Sequence, residues 1–167
     1  MEHQLLPDVL QPGLKVVFCG TAAGRASAEL GCYYAHHNNK FWSVLAETGL
    51  TDRKLKPNEF IELIKFGIGL TDLCKDAAGS DREIQPKTAH RASLKQKISA
   101  VEPAFLAFTS LEAGKRYFGR KVQLGLQADQ IAGTSVYVLP STSLMAAWNW
   151  EATKNHWHEF AQQVRSE

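Results

Sequence analysis

Cysteine is scarce in this chain: Cys19, Cys32 and Cys74 are odd in number and widely spaced. There is no CxxC pair and no Cys/His spacing of the zinc type, so neither a disulfide framework nor a structural zinc site is expected. Reduced thiols point to an intracellular, cytoplasmic protein. Long apolar runs are also missing. None approaches the ~18 residues that a membrane span needs. Met1–Pro7 carries Glu2 and His3 beside a short apolar patch, so no signal peptide is expected there. Neither sign of charge dominates. With 19 Lys and Arg against 17 Asp and Glu, the net charge is +2, and any basic face must come from local clustering. The chain has no GxGxxG, no GK[ST] and no GxSxG, which disfavours a dinucleotide fold, a P-loop and a serine-hydrolase elbow. It has no internal repeat and no low-complexity tract.

What is present is enough for one core. The 167 residues are 44% hydrophobic, which suits a single domain over residues 1–167. The organising stretch is Leu14–Gly24, LKVVFCGTAAG. Val16, Val17, Phe18 and Cys19 read as a strand covered on both faces, which runs into a turn bracketed by Gly20 and Gly24. Such strand ends are where open α/β folds bind ligands. Residues 24–38 read as a long irregular segment. Asn39 is placed to cap a helix through Phe41, Trp42, Val44 and Leu45 to Gly49. Helix Asn58–Phe66 follows, with Pro57 at its entry. Ile68–Leu73 reads as strand two, Lys75–Lys87 as a charged loop, and Thr88–Ala100 as an amphipathic helix that ends before Pro103. Ala104–Thr109 is strand three, and Ser110 caps a helix to Phe118. Gly119–Gly133 has no clear period and suits a short helix. Ser135–Leu139 is strand four, and Glu151–Val164 the last helix. Alternating strands and helices predict an α/β three-layer αβα sandwich with a central, mainly parallel four-stranded sheet. Right-handed crossovers bring GTAAG, TDLC and PSTSL to one rim.

Chemistry-bearing residues cluster on those rims. Tyr33 and Tyr34 sit in one loop near Trp42, where such aromatics stack on a flat ring such as a nucleobase or, for Tyr34 and Trp42, simply cover the sheet. His36 and His37 have no carboxylate or cysteine nearby in sequence, so no metal site is expected. Asp72 ends an apolar strand, where a carboxylate caps a turn, meets water or does chemistry. Ser141, Thr142 and Ser143 offer hydroxyls and amides to a phosphate. Leu144 and Met145 follow as apolar residues that either pack under the last helix or wedge into a partner.

Taken together, VVFCGTAAG at 16–24, YYAHHNNKFW at 33–42, GIGLTDLCK at 67–75 and VLPSTSL at 138–144 resemble the uracil-DNA glycosylase superfamily. The likeness is strongest to its mismatch-specific uracil/thymine branch, with some to the hypoxanthine branch. LQPGLKVVFCG and TDRKLKP at 51–57 add to the first. The resemblance implies the three-layer fold and hydrolysis of the N-glycosidic bond of uracil, or a related deaminated base, flipped out of DNA. It implies DNA as partner, uracil as product, a monomer, and no cofactor; the cysteine spacing does not match the cluster-bearing branches. One departure stands out. Where the mismatch-specific branch reads GINPG, this chain has Ala22 at the water-positioning asparagine and Ala23 at the proline. Alanine cannot orient water.

The resemblance carries roles to particular residues. Gly20, Thr21 and Ala23 border the base, with backbone amides around Thr21 and Ala22 facing its developing anion. Tyr34 takes the place of the stacking aromatic. Asp72 takes the place of an asparagine that reads the pyrimidine edge, and Asn39 that of a catalytic asparagine in the hypoxanthine branch. Asp72 and Asn39 are therefore both candidates to replace what Ala22 lacks. Leu144 sits near the place of the duplex wedge, with Ser141, Thr142 and Ser143 at flanking phosphates. Arg82 and Arg91, with Lys75, Lys87 and His90, form a candidate DNA-facing run or an ordinary solvated face. Two other readings stay open: a catalytically weak damaged-DNA binding protein, and a hypoxanthine-DNA glycosylase.

Overall fold

A computed structural model describes residues 5–167. The signal-peptide expectation falls partly on Met1–Gln4, outside the described residues. Five strands form one sheet in the order β2-β1-β3-β5-β4. They are β1 (Val16–Ala23), β2 (Ile68–Ala78), β3 (Phe105–Phe108), β4 (Gly125–Ile131) and β5 (Thr134–Val138). All pairs are parallel except β4–β5. The sequence predicts four strands. The extra one, β4, lies in the stretch expected to hold a short helix. It is an edge strand with only Ile131 buried, so it carries no apolar run to announce it.

Period-two alternation along β1 sorts the two cores. Val16 and Phe18 face one side, where they pack with Phe41, Leu45, Trp157 and Phe160. Val17 and Cys19 face the other, against Leu94, Ile98 and Ala113. The first layer is built from α2 (Phe41–Glu47), a 3-10 segment Pro57–Phe66 and α6 (Asn155–Arg165). The second contains α3 (Thr88–Val101) and α4 (Leu111–Phe118). The arrangement is the expected αβα sandwich. At Gly114 a Cβ would lie 2.9 Å from Val138 Cγ2, so glycine sets how closely α4 approaches β5.

Several boundaries differ from expectation. Residues 24–38 contain a short helix, α1 (Arg25–Leu30). The last helix is interrupted, with a 3-10 turn at Leu144–Asn149 and α5 (Trp150–Thr153) before α6. β2 runs to Ala78, through Lys75 and Asp76, where the sequence predicts a loop. The reason is a buried ion cluster under that strand. Lys75 Nζ lies 3.0 Å from Asp8 Oδ1 and donates to Tyr33 Oη at 2.8 Å. Lys97 Nζ is 2.7 Å from Asp8 Oδ2, and the Thr71 hydroxyl donates to Asp8 at 2.7 Å. A charged residue stays in the strand because the N-terminal segment brings it a partner.

The site follows from unequal strand lengths. β1 pairs with β3 only from Val16↔Phe105 to Cys19↔Phe108, yet continues beside β2 to Ala23. β3 and β5 therefore stop while β1 and β2 run on. The step between them opens a crevice at the carboxyl ends, where strand order reverses around β1. No helix among the described residues is long and apolar enough to cross a membrane.

Candidate active site

The crevice is a cleft of about 710 Å³, lined from four directions. Gly20–Gly24 form one wall, Tyr34 to Asn39 another, Asp72 the floor, and Ser141–Met145 the far lip. The three rims expected to converge do so: Ala22, Asp72 and Ser141 border the same space. Thr109 and Ser110 complete it, which the sequence reading had assigned only to a strand end and a helix cap.

Gly20 and Asp72 are paired in register across β1 and β2. A Cβ on Gly20 would sit 2.9 Å from Asp72 Oδ1 and 3.6 Å from both Thr109 Oγ1 and Tyr34 Oη. Three polar groups thus meet over a position where only hydrogen fits. Asp72 is 6% exposed. Burial pushes its pKa up from 3.8 to about 6; the charges of Asp8 and Asp81 add to this, while Lys75 and the Gly20 amide oppose it. Thr21 Oγ1 is buried on the same wall without a hydrogen-bond partner among the described residues. A buried hydroxyl without a partner costs about 1–3 kcal/mol.

Tyr34 adopts φ 51°, a left-handed conformation that a bulky residue rarely takes. Such strain costs about 1–3 kcal/mol and gathers at ligand sites. The surroundings enforce it. Trp42 Nε1 donates to the carbonyls of Tyr33 and Tyr34 at 3.3 and 3.2 Å. The Tyr34 ring stacks on Phe41, centroids 3.9 Å apart, and its hydroxyl shares a 2.9 Å hydrogen bond with Thr109. Burial pushes its pKa well above the usual tyrosine value, so it stays a neutral phenol.

Asn39 is held with one edge committed. Its Oδ1 accepts from the Phe41 amide at 2.9 Å and from the Thr142 hydroxyl at 2.8 Å. A backbone N–H can only donate, so the oxygen must face it and the amide NH₂ is left as the free edge. The cap of α2 is Lys40 rather than the expected Asn39, which instead accepts the first helical amide from one position further out. Thr142 is buried and spends its hydroxyl on Asn39. Ser141 Oγ donates to Ser143 Oγ at 3.0 Å and accepts from the Ser143 amide at 3.1 Å.

At the mouth, Leu144, Met145 and Trp148 are 54%, 71% and 85% exposed, on a 3-10 turn with no buried residue. Sequence reasoning flagged Leu144 and Met145 but missed Trp148; its place in an apolar stretch without helical period was the available signal. Arg82 is exposed on the cleft wall. Arg91 is not among the lining residues: it lies on α3 and donates to the Arg116 carbonyl and the Thr88 hydroxyl. Lys75 is buried in the ion cluster and His90 caps α3 by accepting from the Lys87 amide, so the expected basic run does not form one face. Among the described residues no group of three or more His, Cys, Asp or Glu is placed to hold a metal ion.

With this geometry in place, residues 7–165 match the family model of the uracil DNA glycosylase superfamily. The chain belongs to that superfamily. The solution NMR structure of a provisionally assigned uracil DNA glycosylase from Methanosarcina acetivorans superposes with a TM-score of 0.59 at 20% identity. The match covers 96% of this chain and 95% of that one, and shows a shared fold. Membership of the uracil DNA glycosylase superfamily supports a DNA glycosylase role and DNA as the partner.

Proposed function

We propose that this protein removes uracil, or a related deaminated base, from DNA by hydrolysing its N-glycosidic bond, as a monomeric cytoplasmic enzyme acting through one domain. The observation that carries the reading is the polar floor at Gly20, where Asp72, Thr109 and Tyr34 meet. A flat heterocycle with both donors and acceptors on its edge fits such a floor. Asp72 reads that edge in either protonation state: ionised it accepts an N–H, protonated it donates to a carbonyl.

Bond cleavage leaves an oxocarbenium-like sugar and an anionic base. The anion needs donors more than it needs a base. The free NH₂ of Asn39 and the amides around Thr21 and Ala22 are the donors of this site. One such group is worth ~2.7–4 kcal/mol of barrier in comparable oxyanion sites. With its oxygen committed, Asn39 acts as a donor to the leaving group rather than as an acceptor for water. Leu144, with Met145 and Trp148, is an apolar wedge that offsets part of the unstacking cost of a flipped base, a few kcal/mol. Ser141 and Ser143 face flanking phosphates. The branch resembled most, mismatch-specific, is part of the same proposal.

One observation favours a second reading. Ala22 and Ala23 bring no polar side chain to the first loop, which suits a protein that binds damage without cutting. Incubation with labelled oligonucleotides carrying uracil, hypoxanthine, thymine mispaired with guanine, or xanthine, followed by alkali, separates the cases. Strand cleavage at uracil is expected. A mobility shift without cleavage at any base supports the binder, and cleavage only at hypoxanthine supports the purine enzyme.

A further inference from the structure

The loop after β2 brings a second carboxylate to the cleft. Ala23 pairs with Ala78 at the end of the β1–β2 ladder, and the Gly79 amide donates to the Ala23 carbonyl at 2.9 Å. The chain then turns back along the Gly20–Gly24 wall and places Asp81 among the residues that line the space. Asp81 is fixed rather than loose. Ser110 Oγ donates to its Oδ2 at 3.1 Å while accepting from the Ala113 amide at 2.9 Å. Arg116 donates to the Asp81 carbonyl at 3.5 Å. Ser110 directly follows Thr109, so its bond to Asp81 anchors that carboxylate at the same end of the sheet, in the cleft lining.

The other acids of the cleft are already engaged. Glu83 pairs with Arg25 at 2.8 Å, and Glu112 lies 3.2 Å from Lys115 and 3.7 Å from Arg116. Asp81 forms no ion pair among the described residues, and its Oδ1 takes no hydrogen bond from them. Its charge reaches both Asp72 and Tyr34, and raises the pKa of each. The two aspartates therefore differ in kind: Asp72 is nearly sealed, and Asp81 is half-exposed in the cleft lining. Paired carboxylates in unlike surroundings are how glycosidic hydrolysis divides its two tasks.

We infer that Asp81 is a catalytic residue of this cleft, the carboxylate that takes the proton of the attacking water in place of the polar group missing at Ala22. The inference rests on the glycosylase reading. In the step, the water oxygen bonds to C1′ of the sugar as one water proton passes to Asp81 Oδ1. The C1′–N bond breaks and its electron pair leaves with the base, toward the Asn39 NH₂ and the amides around Thr21 and Ala22. Asp81 then returns its proton to solvent.

The test is the single-turnover release of uracil by the wild type, Asp81→Asn and Asp81→Ala, with affinity measured on an oligonucleotide carrying non-cleavable 2′-fluoro-2′-deoxyuridine. Both variants are expected to lose roughly 10²-fold in rate, with affinity held within about threefold. Added formate is expected to restore Asp81→Ala by about tenfold or more, and Asp81→Asn much less, since its amide fills the space. A purely structural aspartate gives no such rescue. An Asp81→Asn rate within about threefold of wild type overturns the proposal. So does a rate loss matched by lost affinity, or an Asp81→Ala variant indifferent to formate. The Asn variant keeps the test sound if the Ala variant does not fold. A wild type inactive on every base overturns the glycosylase reading itself, which is a separate result.

Discussion

Asp72 binds its proton more tightly in the folded chain than in the unfolded one, with a pKa raised from 3.8 to about 6 chiefly by burial. The associated stability is therefore fully present below pH 3.8 and is lost as pH rises through about 6. At pH 8 the ionised group costs on the order of 3 kcal/mol. Asp72→Asn should accordingly melt higher than wild type at pH 8, with the gap narrowing toward pH 4 in thermal scans. In single turnover, Asp72→Ala should lose tenfold or more, on the ~10²–10⁴ scale of such groups, and Asp72→Asn should lose less because it keeps a donor and an acceptor. Asn39→Asp retains an acceptor for the Phe41 amide but removes the free NH₂. It should lower the rate by at least about tenfold while the melting temperature changes little, measured on the same samples. Asp72 was legible in the sequence, because a carboxylate at the end of an apolar strand needs a reason. Thr109 and Asp81 were not. One closes a run of core residues and is brought to Gly20 only by the sheet order; the other sits in a loop of mixed charge and reaches the cleft only through its bond to Ser110.

Elements with a clear apolar period could be read directly, and those held by polar contacts could not. β3, β5 and α3 lie within a few residues of expectation, whereas the turn expected at Gly20–Gly24 is strand: β1 stays paired with β2 through to Ala23. β4 was missed because its outer face is solvent. The far half of β2 reads as loop from the sequence because Lys75 and Asp76 are charged; only Asp8 beneath Lys75 explains why the strand continues. The 3-10 turn Leu144–Asn149 is the element with the plainest functional consequence. It exposes three large apolar side chains and buries none. Leu144→Ala should weaken binding to uracil-containing duplex more than to the same single strand, in fluorescence-anisotropy titrations, since only the duplex leaves a gap to fill. Equal losses on both would assign the residue to the cleft wall instead.

For the molecule as a whole, the N-terminal segment and the sheet are joined through the Asp8 cluster. Burial raises the pKa of Asp8, but Lys75, Lys97 and Thr71 outweigh it, so the group ends below its usual value. Its contribution is present above the unfolded value of 3.8 and falls away as pH drops below that. Asp8→Asn should destabilise the fold by about 3–5 kcal/mol, because Lys75 would remain buried with the Tyr33 hydroxyl as its main partner. Urea denaturation at pH 7 measures this, and the difference should shrink in acid. Because the same cluster lies close enough to Asp72 to act on its charge, loosening it should also perturb the cleft.

That cleft holding an everted nucleobase is the claim on which the function rests. Amide NMR spectra of the wild type with two matched oligonucleotides, one bearing 2′-fluoro-2′-deoxyuridine and one undamaged, test it directly. The uracil strand should add shifts at Gly20, Thr21, Ala22, Asp72 and Thr109 that the undamaged strand does not produce. Identical spectra for both, or added shifts confined to residues away from these five, would contradict it.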